Sequence, residues 1–193
     1  SIEHMPAVKV GVSGCLLGKK VRFDGGHKRN RFITDSLADC FQLVPFCPEV
    51  AIGMGIPRQP IRLVGTAQTP RAVGVRQPEM DVTSALQTYA RGVAEHIQDL
   101  CGFIFKKDSP SCGMARVKIY NHSGMPERTG TGLFAREIMR ADPLLPVEEE
   151  GRLNDVHLRE NFVTRVCVYA RWKTLITGEL SKASLINFHT RHK

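Results

Sequence analysis

The sequence predicts an α/β fold: a Rossmann-like, mostly parallel sheet with helices on both faces. Three observations predict it. Short runs rich in apolar and β-branched residues recur at 8–12, 41–46 and 102–105, as strands do. Segments with helical apolar spacing lie between and after them, and strands alternating with helices build parallel sheets. Each run also ends in a turn that carries a cysteine. Open parallel sheets bind ligands in that place, beyond the carboxyl ends of their strands.

The first run, Val-Lys-Val-Gly-Val, leads into Ser13-Gly14-Cys15. The second, Phe-Gln-Leu-Val-Pro-Phe, leads into Cys47-Pro48-Glu49. The third, Gly-Phe-Ile-Phe, passes through Lys106, Lys107 and Asp108 into Ser109-Pro110-Ser111-Cys112-Gly113. A short helix is expected at 34–40, between the first two strands. The clearest helix follows the second strand. Asp81 suits its N-cap, and Leu86, Tyr89, Ala90, Val93, Ile97 and Leu100 fall three and four apart on one face. Gly102 is expected to stop it. A third helix covers 133–141 and ends before Pro143. A long one runs over 154–175, with Phe162, Val166, Tyr169, Ala170 and Leu175 on its apolar stripe. Residues 52–78 break the alternation. They are rich in Gly and Pro, carry Arg58, Arg62, Arg71 and Arg76, and contain no acidic residue. A long surface excursion is expected there.

At 193 residues the chain fits one domain with a sizeable core, without help from disulfides. Residues 1–7 read as a tag remnant and a disordered start, and 8–179 as the functional domain. Residues 180–193 read as a linker or the start of a truncated accessory domain. No apolar run approaches the roughly 20 residues that span a bilayer, and the start has no signal-peptide character. A cytoplasmic protein with no membrane partner is expected. The six cysteines are too few for a disulfide scaffold, so buried, metal-bound or catalytic roles come first. The formal charge of +8 favours an anionic partner, nucleic acid above all. Many soluble proteins are also mildly basic, and charge alone does not decide between these readings.

Cys15, Cys47 and Cys112 share their place just after strand-like runs, so three loops can bring them together. Gly14, Pro48, Pro110 and Gly113 shape tight turns around them. Cys40, Cys101 and Cys167 lie within or at the ends of helical patterns and read as small buried hydrophobes. No Cys-x-x-Cys pair is present, so no regular zinc or ferredoxin spacing is met. Three thiolates without a fourth ligand suit an iron–sulfur cluster with one open iron. His27 offers the competing possibility, a zinc site of three cysteines and one histidine, as in an RNA-binding module with a structural metal.

At these residues the sequence resembles the thiouracil desulfidase family. Four motifs carry the resemblance, in the family's order: Gly11-Val-Ser-Gly-Cys15-Leu-Leu-Gly18, Val21-Arg-Phe-Asp-Gly25, Cys47-Pro-Glu49 and Ser109-Pro-Ser-Cys-Gly113. The likeness extends from Val8 to about Thr177. The tail Leu180-Ser-Lys-Ala-Ser-Leu-Ile-Asn-Phe-His189 is similar to the start of the accessory domain in the family's two-domain version, which acts on 4-thiouridine of tRNA. The resemblance implies a 4Fe-4S cluster held by Cys15, Cys47 and Cys112, with the fourth iron open to the sulfur of a thiolated uracil. It implies that Glu49 and Ser109 are catalytic. Ser13, Lys107, Asp108 and Gly113 become candidates for substrate contact.

The chemistry is a substitution at carbon, in which water enters and sulfide leaves. A soft metal corner can accept the leaving sulfur, and a base must activate the water. Glu49 stands two residues from Cys47 and can reach the cluster's edge, although a carboxylate there ordinarily belongs to a helix start or the surface. Ser109 can hydrogen-bond the pyrimidine or relay a proton, although a serine there ordinarily caps its own turn. Arg22, Lys28, Arg29, Arg31, Arg58 and Arg62 flank the cysteine loops and are candidate RNA contacts. A free thiouracil would need no such charge, so tRNA is the expected substrate, with the free base as the alternative. The base would be drawn out of its stack into the pocket.

Overall fold

The computed structural model describes the backbone of residues 7–191 and the side chains of 7–178. The strands in chain order are β1 (Lys9–Ser13), β2 (Gln42–Phe46), β3 (Ile61–Val64), β4 (Arg71–Gly74), β5 (Leu100–Phe105), β6 (Val117–Tyr120), β7 (Pro126–Gly130) and β8 (Val147–Glu149). The helices are α1 (Ala38–Cys40), α2 (Pro48–Ala51), α3 (Thr83–Ala94), α4 (Leu133–Ala141) and α5 (Val156–Arg191). One four-stranded sheet has the order β2-β1-β5-β8, and every pair in it is parallel. This is the expected Rossmann-like α/β layer. Strand order turns back at β1, which has β2 on one side and β5 on the other, so a crevice opens at their carboxyl ends.

The sheet packs through large side chains that meet bare backbone. Phe103 and Phe105 stack at 4.3 Å between ring centroids, and Phe134 of α4 lies edge-on to both at 5.8 and 6.4 Å. A methyl group at Gly11 would sit 2.5 Å from the Phe103 ring, so only glycine lets that ring lie on β1. On the opposite face a methyl at Gly102 would meet Val166 at 2.8 Å, because Phe162 and Val166 of α5 rest on this strand. Helices α3 and α4 thus cover one face and α5 the other.

A second sheet, β4-β3-β6-β7, overturns the expected excursion at 52–78. Ile61, Leu63, Ala72, Val117 and Ile119 form its core with Leu86 of α3 and Leu133 of α4. Two four-residue strands were hidden because Gly, Pro and Arg surround them, while alternation buries only every second residue of Ile-Arg-Leu-Val. The helix expected to run to Leu100 stops at Ala94. Ile97 and Leu100 are buried in the following turn and at the start of β5, so they continue the apolar spacing without being helical. Gly102 is therefore a strand residue, not a helix stop. The N-cap of α3 is Val82, without a side-chain cap, so Asp81 stands one residue before the expected position, although its Oδ1 accepts the Thr83 N–H at 2.9 Å. The helix at 133–141 stands as expected. The segment at 34–40 is a π-helical turn, Ile33–Leu37, continued by α1. Helix α5 continues beyond the expected 175 to Arg191. Leu175 is 68% exposed rather than on the buried stripe, because this part of α5 extends past the sheet. Of the remaining cysteines only Cys101 is buried, whereas Cys40 and Cys167 are exposed. No helix among the described residues is long and apolar enough to cross a membrane.

Candidate active site

The three adjacent strands β2, β1 and β5 deliver the three cysteines to one end of the sheet. After β1 the chain makes a 3-10 turn, Gly14–Leu17, that ends at Gly18 with φ 87°. The Cys15 carbonyl accepts N–H groups from Gly18 at 3.2 Å and Lys28 at 2.9 Å. Cys47 stands at the N-cap of α2, with Pro48 in the first helical position, where a missing N–H costs nothing. Cys112 sits in a tight turn after β5. Ser109 Oγ accepts the Ser111 N–H at 3.2 Å and the Cys112 N–H at 3.0 Å.

Gly132 locks that turn from below. Its N–H donates to the Gly113 carbonyl at 2.7 Å. A methyl at Gly132 would lie 2.5 Å from backbone atoms of Ser111, and one at Gly113 would lie 2.3 Å from Val117. Backbone cannot swing aside as a flexible side chain can. Gly132→Ala is expected to destabilise the protein by about 1–3 kcal/mol, read as a lower midpoint in chemical denaturation. The Gly130-Thr131-Gly132 turn is therefore a packing device at the start of α4.

All three cysteines line one cavity of about 340 Å³. Its wall also includes Ser13, Val21, Arg22, Phe23, Phe46, Glu49, Arg58, Ile61, Lys106, Lys107, Asp108 and Ser109. Burial pushes all three thiols up, Cys112 furthest. Arg22 and then Lys106 oppose this at Cys15. At Cys47 the Val50 N–H, Arg58 and the Glu49 N–H do so. Buried thiolates without a counter-charge are costly, and binding a cationic metal group removes that cost while releasing their protons. Among the described residues no three His, Cys, Asp or Glu side chains close on the position of a single ion. Three soft thiol donors on one cavity wall fit a thiophilic metal group. His27 does not line the cavity; its Nδ1 accepts the Arg29 N–H at 3.1 Å.

Glu49 is held on both sides. Arg58 Nε donates to Oε1 at 3.0 Å and Ser111 Oγ donates to Oε2 at 2.9 Å. The Arg58 and Glu49 side chains are only 5% and 15% exposed. A carboxylate has about four lone-pair positions, so two remain for a water or substrate proton. Arg58 also donates from Nη2 to the Val21 carbonyl at 2.7 Å, and its own N–H reaches the Phe23 carbonyl at 2.7 Å. It thereby clamps the Val21–Phe23 turn over the cavity mouth. Ser109 Oγ has both lone pairs engaged by backbone, which leaves its O–H as a donor.

The other candidate residues separate by position. Ser13 is buried, and its Oγ accepts the Lys106 N–H at 3.0 Å. The Lys107 N–H donates to Glu150, at 3.0 and 2.9 Å from its two oxygens. Asp108, at φ 65°, accepts from Arg128 at 3.4 Å. Gly113 packs beneath the turn and does not line the cavity. Lys28, Arg29 and Arg31 are exposed beside the Cys15 turn, and Arg29 pairs with Asp35 at 3.1 Å. The Arg58 side chain is buried and Arg22 half-buried, and both line the cavity. Arg62 stacks on Tyr120 with its guanidinium 4.4 Å from the ring centroid. Sequence reasoning passed over Ser111 and Lys106. Ser111 lay inside a motif already singled out, while nothing marked Lys106 except its place at a strand end. Its Nζ reaches Glu150 at 3.0 Å and flanks Cys15.

The fold and site define an α/β enzyme whose pocket, at a sheet switch point, is lined by three thiols and two paired carboxylates, Glu49 and Asp108. The chain belongs to the 2-thiouracil desulfurase family, whose model matches residues 10–150, and it is thus a desulfidase acting on thiolated uracil. YbbK of Bacillus subtilis (strain 168), itself uncharacterized, is 32% identical over 154 residues, covering 75% of this chain and 97% of YbbK. The structure of the [4Fe-4S]-dependent thiouracil desulfidase TudS matches with a TM-score of 0.61 and 29% identity, over 80% of this chain and 98% of TudS.

Proposed function

We propose that the chain converts 4-thiouridine of tRNA to uridine without redox change, using a 4Fe-4S cluster held by Cys15, Cys47 and Cys112. One observation carries this reading: three thiols, a carboxylate and a hydroxyl with a free proton meet on one cavity. When bound, the cluster supplies a Lewis-acidic iron corner without a protein ligand, able to take the substrate sulfur.

The chain's own residues supply the rest. Arg58 and Ser111 hold Glu49 in one orientation, so its carboxylate is aimed before substrate arrives. Glu49 takes a proton from water as the water oxygen bonds to the thiolated carbon. The proton of the new hydroxyl passes to sulfur as the C–S bond breaks with its electron pair, so hydrosulfide leaves as the carbonyl forms, and Glu49 then returns its proton to give hydrogen sulfide. Ser109 donates its O–H to the pyrimidine and steadies the ring as the carbonyl forms. The sum is thiocarbonyl plus water giving carbonyl plus hydrogen sulfide, with no oxidant or reductant. The Val21–Phe23 turn and Phe46 wall the cavity and limit bulk water around the reacting carbon.

The basic segments support RNA as the carrier of the base, because a free base has no phosphates for them to meet. The likeness to TudS favours a second reading, free 2-thiouracil or 4-thiouracil as substrate. Anaerobic turnover on thiolated tRNA, 4-thiouridine and 4-thiouracil separates them. The expected result is the highest kcat/KM on tRNA. Equal or higher values on the free base would favour the second reading.

A further inference from the structure

The second sheet presents a face that the desulfidase chemistry leaves unused. Ile61, Leu63, Val117 and Ile119 point into its core, so Arg62, Lys118 and Tyr120 point to the other side. Leu63 pairs with Ile119 and Val64 with Tyr120, which brings Arg62 beside Lys118. Lys118 lies opposite Arg128 and Val64 opposite Arg71. In sheet order, β4-β3-β6-β7, the face therefore carries Arg71, Arg62, Lys118 and Arg128, one cation per strand.

The charge on this face is only partly met. Arg71 and Arg128 each reach one carboxylate at its margins, Asp81 and Asp108, both at 3.4 Å. Arg62 lies against Tyr120, and its Nε is buried there without a hydrogen-bond partner among the described residues. Lys118 is exposed. Asp108 lines the cavity and pairs with Arg128, so the row of cations meets the cavity wall at its Arg128 end. A cationic track with an aromatic ring, leading into a base-sized pocket, matches a single-stranded phosphate backbone.

We propose that this face carries the phosphates of the RNA strand adjoining the thiolated uridine while the base occupies the cavity. The proposal rests on the reading that the base arrives in RNA. Its test is anaerobic binding of the holoenzyme to a labelled single-stranded oligoribonucleotide containing one 4-thiouridine, across a salt series. Removing two phosphate contacts lowers the log–log salt slope by about 1.4 in magnitude, about 0.7 for each. Arg62→Gln/Lys118→Gln is expected to do so, and to raise Kd roughly 10-fold at low salt. Arg71→Gln/Lys118→Gln, both exposed, repeats the test without disturbing the Arg62 stack and is expected to weaken binding in the same sense. Lys9→Gln/Arg171→Gln removes the same charge elsewhere and is expected to keep the wild-type slope. Wild-type slopes in both face variants, or an equal loss in the Lys9/Arg171 control, would overturn the face alone. A wild-type enzyme that desulfurises 4-thiouracil and binds no oligonucleotide would overturn both the face and the RNA reading.

Discussion

Replacing Cys15, Cys47 or Cys112 with alanine leaves a folded, colourless protein whose desulfidase turnover falls to background. Each supplies one of three thiols on the cavity wall, and among the described residues no fourth His or Cys stands by to substitute. Their loss removes a ligand from three different strand ends, so no neighbouring cysteine can move in. Folding survives because alanine fills most of the space of a small side chain, and the aromatic packing of Phe103, Phe105 and Phe134 is untouched. Cys40→Ala and Cys167→Ala, at exposed positions, keep both colour and activity. A visible absorption spectrum taken anaerobically and a turnover assay on the same sample check all five variants.

Glu49→Gln keeps the colour and lowers kcat by about 10²- to 10⁴-fold, the usual worth of a positioned general base. The amide is nearly isosteric, and its oxygen can still accept from Arg58 or Ser111, so the pocket keeps its shape. What it loses is the ability to take a proton from water. A Glu49→Gln enzyme with wild-type kcat would remove Glu49 from the base role and leave the cluster assignment standing. Because Arg58 anchors both Glu49 and the Val21–Phe23 turn, substitutions there disturb two features together and report less cleanly.

Apart from β8, whose Val-Glu-Glu carries no apolar run, the parallel sheet was legible because its strands are mainly apolar and end in marked turns. The second sheet was not. Its strands are four or five residues long, half of each faces outward, and Arg62 between Ile61 and Leu63 looks like loop chemistry. The end of α3 was misplaced because burial, not helix, sets the spacing of Ile97 and Leu100. In the site, the cysteine loops could be read from their position after strands. The supports of Glu49 could not, since Arg58 is nine residues away and Ser111 is 62. Nothing local distinguishes a buried guanidinium from a solvated one. Arg58 joined the surface cations on sequence grounds because its burial depends on how the Val21–Phe23 turn folds over it.

Iron and acid-labile sulfide analysis of the anaerobically isolated protein tests the central claim most directly. The account predicts about four irons and four sulfides per chain, falling together when any one of Cys15, Cys47 and Cys112 is replaced. One zinc per chain with no labile sulfide, bound equally well by the protein and by its Cys112→Ala variant, would contradict it.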